Sequence, residues 1–138
     1  MSEQVPRSSA PDAVVVEVGH EDLEHGRVRA ELFADGTLLV TRLLEGKRDR
    51  FEHTVDAKEA EETIRRADDL ARIAPARDRE YRPVPDEALY RIELVHADDE
   101  PIVVEVWQNE LDENDEARRL VQQLGTQVER ASDGRAIL

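Results

Sequence analysis

The stretch RVRAELFADGTLLVTRLL, residues 27–44, decides the fold. From Arg27 to Phe33 the residues alternate, with Val28, Ala30 and Leu32 on one side and Arg27, Arg29 and Glu31 on the other. A period of two is that of a strand with one face buried. Asp35-Gly36 follows and signals a hairpin, because glycine takes a positive φ without steric cost. Thr37 to Leu44 then returns as a second strand.

Downstream, Glu45-Gly46-Lys47 marks another turn, and Arg50 to Val55, carrying Phe51, reads as the next strand. Asp56 ends it and opens a helix. With Glu59 it forms a D-x-x-E variant of the capping box, in which Asp56 accepts from the N–H three residues on and Glu59 reaches back. Ala60, Ile64, Ala67, Ala71 and Ala74 recur at helical spacing until Pro75 stops the helix. Upstream, Ala13 to Val18 is a β-branched run that forms the first strand. His20 to Gly26 is a polar connection, and residues 1–12 are a disordered lead-in.

The same order then repeats. Tyr90, Ile92, Leu94 and His96 alternate with Arg91, Glu93 and Val95; Asp98-Asp99-Glu100 turns the chain; Ile102, Val104 and Val106 alternate with Val103, Glu105 and Trp107. The acidic cluster Asp112 to Asp115 suits the positive end of a helix dipole. Ala117, Leu120, Val121, Leu124 and Val128 supply the stripe of a second helix. Gly125 either caps that helix near Leu124 or lies inside one that runs to about Ala131. Residues 132–138 are expected to form a flexible tail. The expected fold is α+β: an antiparallel sheet of five to six strands with two helices on one face, order ββββ-α-ββ-α, as a single domain over 13–131.

Composition narrows the function classes. The chain has 138 residues, with 19 basic against 33 acidic side chains and a net charge of −14. A field of that sign repels phosphate backbones and anionic membranes, so neither nucleic acid nor a membrane is an expected partner. A basic patch on a protein partner would be steered in. The bland reading of the acidity is a solvated surface, as in a salt-adapted proteome. Absence of cysteine removes disulfides, thiolate nucleophiles and cysteine metal sites. The lead-in has no apolar core of a signal peptide, which makes the cytoplasm the expected location.

No motif carries chemistry. His20 and His25 are five residues apart, whereas a helical zinc pair needs four. His53 and His96 lie in separate strands with no nucleophile assigned to them. The serines, Ser2, Ser8, Ser9 and Ser132, all fall in the expected loose ends, where no triad can be positioned. Asp112, Asn114 and Glu116 have the spacing of the first calcium-loop ligands, but Ala117 and Gln123 stand where glycine and glutamate are required, so helix capping is preferred. No phosphate-binding glycine loop is present, and no cofactor or metal is expected.

Two surfaces remain. Trp107, the single tryptophan, ends a strand beside Val103 and Glu105. It is either an interface anchor or a lid over the sheet edge. The segment Ala76 to Glu87 holds Arg77, Arg79, Tyr81 and Arg82, a locally basic stretch that could hold a partner's carboxylates or pair with the chain's own acidic helices.

The run LFADGTLLVTRLLEGKRDRFEHTVDAKEAEETIRRADDLARI, followed by YRIELVHADDEPIVVEV and a final helix, resembles emfourin-type small inhibitors of thermolysin-like metalloproteases and related prokaryotic domains. The likeness is one of order and hydrophobic pattern over Val28 to Val128. It implies a non-catalytic protein that binds a protease cleft. The function expected is therefore protein binding without catalysis, with a metalloprotease as the implied partner and the chain a monomer or homodimer. An acidic decoy that occupies a nucleic-acid-binding protein is the alternative. An enzyme using His53 or His96 is the least supported reading.

Overall fold

The structure is a computed structural model, and it describes residues 11–19, 26–73, 87–97 and 100–138. Six strands, β1 (Ala13–Gly19), β2 (Arg27–Phe33), β3 (Thr37–Leu44), β4 (Lys47–Thr54), β5 (Leu89–Val95) and β6 (Ile102–Trp107), form one sheet in the order β4-β3-β2-β1-β5-β6. Every neighbouring pair is antiparallel. Two helices, α1 (Ala57–Ile73) and α2 (Asp115–Ser132), pack on it, and a short 3-10 turn over Gln108–Glu113 joins β6 to α2. The fold is thus α+β with the order ββββ-α-ββ-α.

The turns follow from local chemistry. Glu45 and Gly46 both have positive φ, 52° and 79°, so the β3–β4 loop is a two-residue turn of the I′ kind. A turn that short lets pairing begin at Leu44–Lys47, and β4 starts three residues before the expected Arg50. At the β2–β3 turn, Thr37 N–H donates to Asp35 Oδ1 at 2.9 Å. That bond holds the Asp35 carboxyl below its ordinary pKa. Gly36 has φ 101°, and a Cβ there would meet the Val55 carbonyl oxygen at 2.2 Å, so only glycine fits where the chain leaving β4 passes over.

Alternation in the strands sorts residues onto two faces. Val14, Val16, Val18, Val28, Ala30, Leu32, Leu38, Val40, Ile92 and Leu94 face the helices and are all buried. Ala60, Ile64, Ala67 and Leu70 of α1 and Ala117, Leu120, Leu124 and Val128 of α2 complete this core. The helices meet across a polar contact. Gln127 donates through Nε2 to Glu59 Oε2 and to Thr63 Oγ1, both at 3.0 Å, and Gln127 and Thr63 are buried.

Two local expectations are corrected and one left open is decided. Asp56 Oδ1 accepts from Lys58 N–H, two residues on rather than three, while the Glu59 carboxylate turns to Gln127 and Arg130. Of the two readings of Gly125, the continuous helix is found: α2 runs through it to Ser132, and Asp133, with φ 58°, forms the cap. The tail expected to be flexible is docked. Arg42 donates to the Arg135 carbonyl at 2.7 Å, the Arg135 guanidinium lies 4.8 Å from the centre of the Phe51 ring, and Ala136 is fully buried.

Candidate functional site

Because α1 and α2 lie on one side, the other face of the sheet carries no helix among the described residues. The pairing registers arrange its side chains in cross-strand rows. One row runs Arg50, Thr41, Arg29, Glu17, Arg91, Glu105 from β4 to β6. The next runs Glu52, Leu39, Glu31, Val15, Glu93, Val103. On the far side of the arginine row lie Arg48, Leu43, Arg27, Gly19, Leu89 and Trp107. Three arginines, Arg50, Arg29 and Arg91, in a row that also holds Glu17 and Glu105, therefore border three glutamates, Glu52, Glu31 and Glu93.

The pattern has a local origin. Arg29-Ala30-Glu31, Arg50-Phe51-Glu52 and Arg91-Ile92-Glu93 are the same Arg-x-Glu unit on three strands, set in the same two rows. The middle residue points to the core and the flanking charges point out. Within the plane, Arg91 reaches Glu93 at 3.1 Å and Arg29 reaches Glu31 at 3.8 Å. Arg27, Arg48 and Arg50 make no ion pair with any described residue. Leu43 and Val103 are 39% and 42% exposed on this face. Between β1 and β4, Glu17, Arg27, Arg29, Thr41, Leu43 and Arg48 line a shallow cleft of about 280 Å³.

Trp107 lies on this face at the end of β6, half-buried, and its backbone N–H donates to Glu110 Oε1 at 2.8 Å. Arg77, Arg79, Tyr81 and Arg82 fall outside the described residues. The chain returns from their segment beside Trp107: buried Glu87 accepts from Asn109 N–H at 2.7 Å, and Gln108 N–H donates to the Ala88 carbonyl at 2.9 Å. His20 and His25 are also outside the described residues. His53 is exposed on β4 and His96 is buried just after β5. Strands β3, β2 and β1 lie between them, a separation on the order of 19 Å at ~4.8 Å per strand. They do not meet.

Asn114 caps α2, its Oδ1 accepting from Ala117 N–H at 3.0 Å. Ser132 Oγ donates to the Val128 carbonyl and accepts from Ala136 N–H, both at 2.9 Å, which fixes it inside the docked tail. Among the described residues no group of three or more His, Asp or Glu could hold a metal ion. No helix among them is long and apolar enough to cross a membrane.

The Arg-x-Glu rows were missed from sequence. The repeated unit was visible, but its alignment into bands depends on the register of five strand pairs. The sequence matches no protein-family model and no curated protein.

Proposed function

We propose that this chain is a non-catalytic domain that binds another protein through the open face of its sheet. One observation carries the reading. The face that no described helix covers presents half-exposed Leu43 between Arg27 and Arg48, and half-exposed Val103 beside Glu93; Arg27, Arg48 and Arg50 have no acid partner among the described residues. Apolar contact framed by charged groups is the usual composition of an interface. Arg77, Arg79, Tyr81 and Arg82 stay candidates on their chemistry alone, while the described chain after them, at Ala88, is bonded to Gln108 next to Trp107. The decoy alternative fits less well, because each glutamate of the carboxylate row has an arginine two residues before it or a neutral neighbour, not a phosphate-like run of charge.

Site-specific photo-crosslinking in the host tests the reading. A crosslinker at position 43 or 103 should give protein adducts, and one at Lys58 on the helix side should not. No adduct from either face position would end this assignment. A thermolysin-like metalloprotease is the first heterologous partner to titrate, given the resemblance. Full protease activity at a stoichiometric excess of the domain would strike it from the candidates.

A further inference from the structure

We infer that the occupant of the open face is a second copy of this chain, packed face to face about a two-fold axis that runs across the strands between the arginine row and the glutamate row. This rests on the reading of that face as the binding surface. The inference comes from the symmetry of the charge pattern. A two-fold axis in that position exchanges the two rows and leaves each strand over its own counterpart. Arg29 of one copy then faces Glu31 of the other, Arg91 faces Glu93, and Arg50 faces Glu52. A two-fold interface requires a self-complementary surface of this kind.

The in-plane pairs do not exhaust these groups. Arginine has five donors and a carboxylate about four acceptor sites, so Arg91–Glu93 and Arg29–Glu31 keep capacity for a facing partner. Arg50 makes no ion pair within the described chain. At edge strand β4 the sheet rotation offsets Glu52 of the facing copy from it by on the order of 6 Å, so this pair counts for less than the central ones. The same axis brings Arg27 toward Phe33 and Leu89 toward Val95, which adds a cation–π contact and an apolar one at the flanks.

The size is adequate. Six strands at ~4.8 Å and four rows at ~6.8 Å make a face on the order of 700 Å², close to the ~800 Å² per partner of a standard interface. Two sheets stacked in this way are a β-sandwich, with the sheets rotated by about 30°. That rotation keeps the facing pairs in register at the centre, where Arg29, Glu31, Arg91 and Glu93 lie.

Charge reversal with a mixing step tests it. Two variants are made, Arg29→Glu/Arg91→Glu and Glu31→Arg/Glu93→Arg, and sedimentation is followed from about 1 to about 200 µM, a range that brackets micromolar affinity. Salt is kept near physiological, where the repulsion of two −14 bodies is screened beyond about 8 Å. The wild type should dimerise. Each variant alone should associate at least about tenfold more weakly, because like charges then face each other. An equimolar mixture should recover the dimer as a mixed pair, since positions 29, 31, 91 and 93 are then all acidic in one copy and all basic in the other.

Circular dichroism checks the fold of each variant. If either is unfolded, Arg29→Gln/Arg91→Gln replaces it and should weaken the dimer in the same direction. A monomeric wild type, variants that dimerise as the wild type does, or folded variants that fail to pair on mixing would each overturn the inference. A monomeric wild type that still crosslinks from position 43 or 103 to a different protein would overturn it while leaving the open-face reading intact. Absence of any adduct removes both.

Discussion

Leu38 and Leu39 are consecutive residues of one strand that belong to different surfaces. Leu38 points into the helix-covered face and is fully buried, whereas Leu39 points to the open face and is half-buried between Glu52 and Glu31. The contrast recurs in β2, β4 and β5, whereas on central β1 the open-face residues Ala13 and Val15 are themselves buried. One face holds Val, Leu and Ile against two helices; the other holds Arg-x-Glu units with scattered apolar residues. Stability resides on the first and recognition, in the reading above, on the second.

Cavity formation should separate the faces most strongly. Leu38→Ala removes a side chain with no exposed surface and should cost about 2–5 kcal/mol in denaturant unfolding. Leu39→Ala should cost about 1 kcal/mol or less in the dilute monomer, in the range of a partly solvated site. Equal losses at low concentration would mean that the open face is already covered within the chain. A Leu39 effect that grows with protein concentration would tie this residue to self-association.

Polar groups sharpen the same comparison. On the covered side, Gln127 bridges Glu59 and Thr63 between α1 and α2 in a buried setting. Gln127→Ala leaves the Thr63 hydroxyl and Glu59 carboxylate without that donor and should cost about 1–3 kcal/mol. On the open side, Arg91 and Glu93 are also paired, but their side chains are 41% and 21% exposed. Arg91→Ala should cost about 0–1 kcal/mol by thermal unfolding of the monomer. A Gln127 variant as stable as the wild type would show that the helix–helix contact tolerates an unpaired network.

The order of elements, the two-faced strands and the hairpin at Asp35-Gly36 were legible because each is encoded within a few neighbouring residues. Features made by distant partners were not. Arg42 holds the Arg135 carbonyl across 93 residues, and no local pattern in Ser132 to Leu138 distinguishes a docked tail from a frayed one. The Arg-x-Glu bands failed to show for the same reason: Arg50 lies beside Thr41 and Arg29 only once β2, β3 and β4 are in register. The basic loop drew notice because its arginines are close in sequence. Arg27, Arg29, Arg48 and Arg50 are gathered by pairing instead.

The docked tail offers a smaller effect. Arg42 spans both descriptions: it projects from β3 on the covered side, pairs with Asp49 at 2.8 Å, and holds the Arg135 carbonyl. Arg135→Ala removes a guanidinium from an accessible aromatic face and should cost about 0.5–1 kcal/mol. Amide exchange should rise first in residues 135–138. No change in exchange there would mean that buried Ala136 and the Ser132 bonds hold the tail without Arg135.

Tyr90 gives the last difference between the faces, and it appears only in alkali. Its ring is buried on the covered side, and burial raises the phenol pKa above the ordinary 10.0. The folded state therefore keeps the proton at a pH where the unfolded chain has released it. Stability from this source is complete below the unfolded value near 10.0 and is lost as the pH rises through the higher folded value. Tyr90→Phe has no proton to lose, so its melting temperature should fall less steeply above pH 10 than that of the wild type. The chain's second tyrosine, Tyr81, is removed in a Tyr81→Phe background, so that phenolate absorbance then reports Tyr90 alone. Ionisation of Tyr90 at the ordinary pH in the folded protein would mean that solvent reaches the hydroxyl through the helix layer, and the covered face would be less sealed than its side-chain packing indicates.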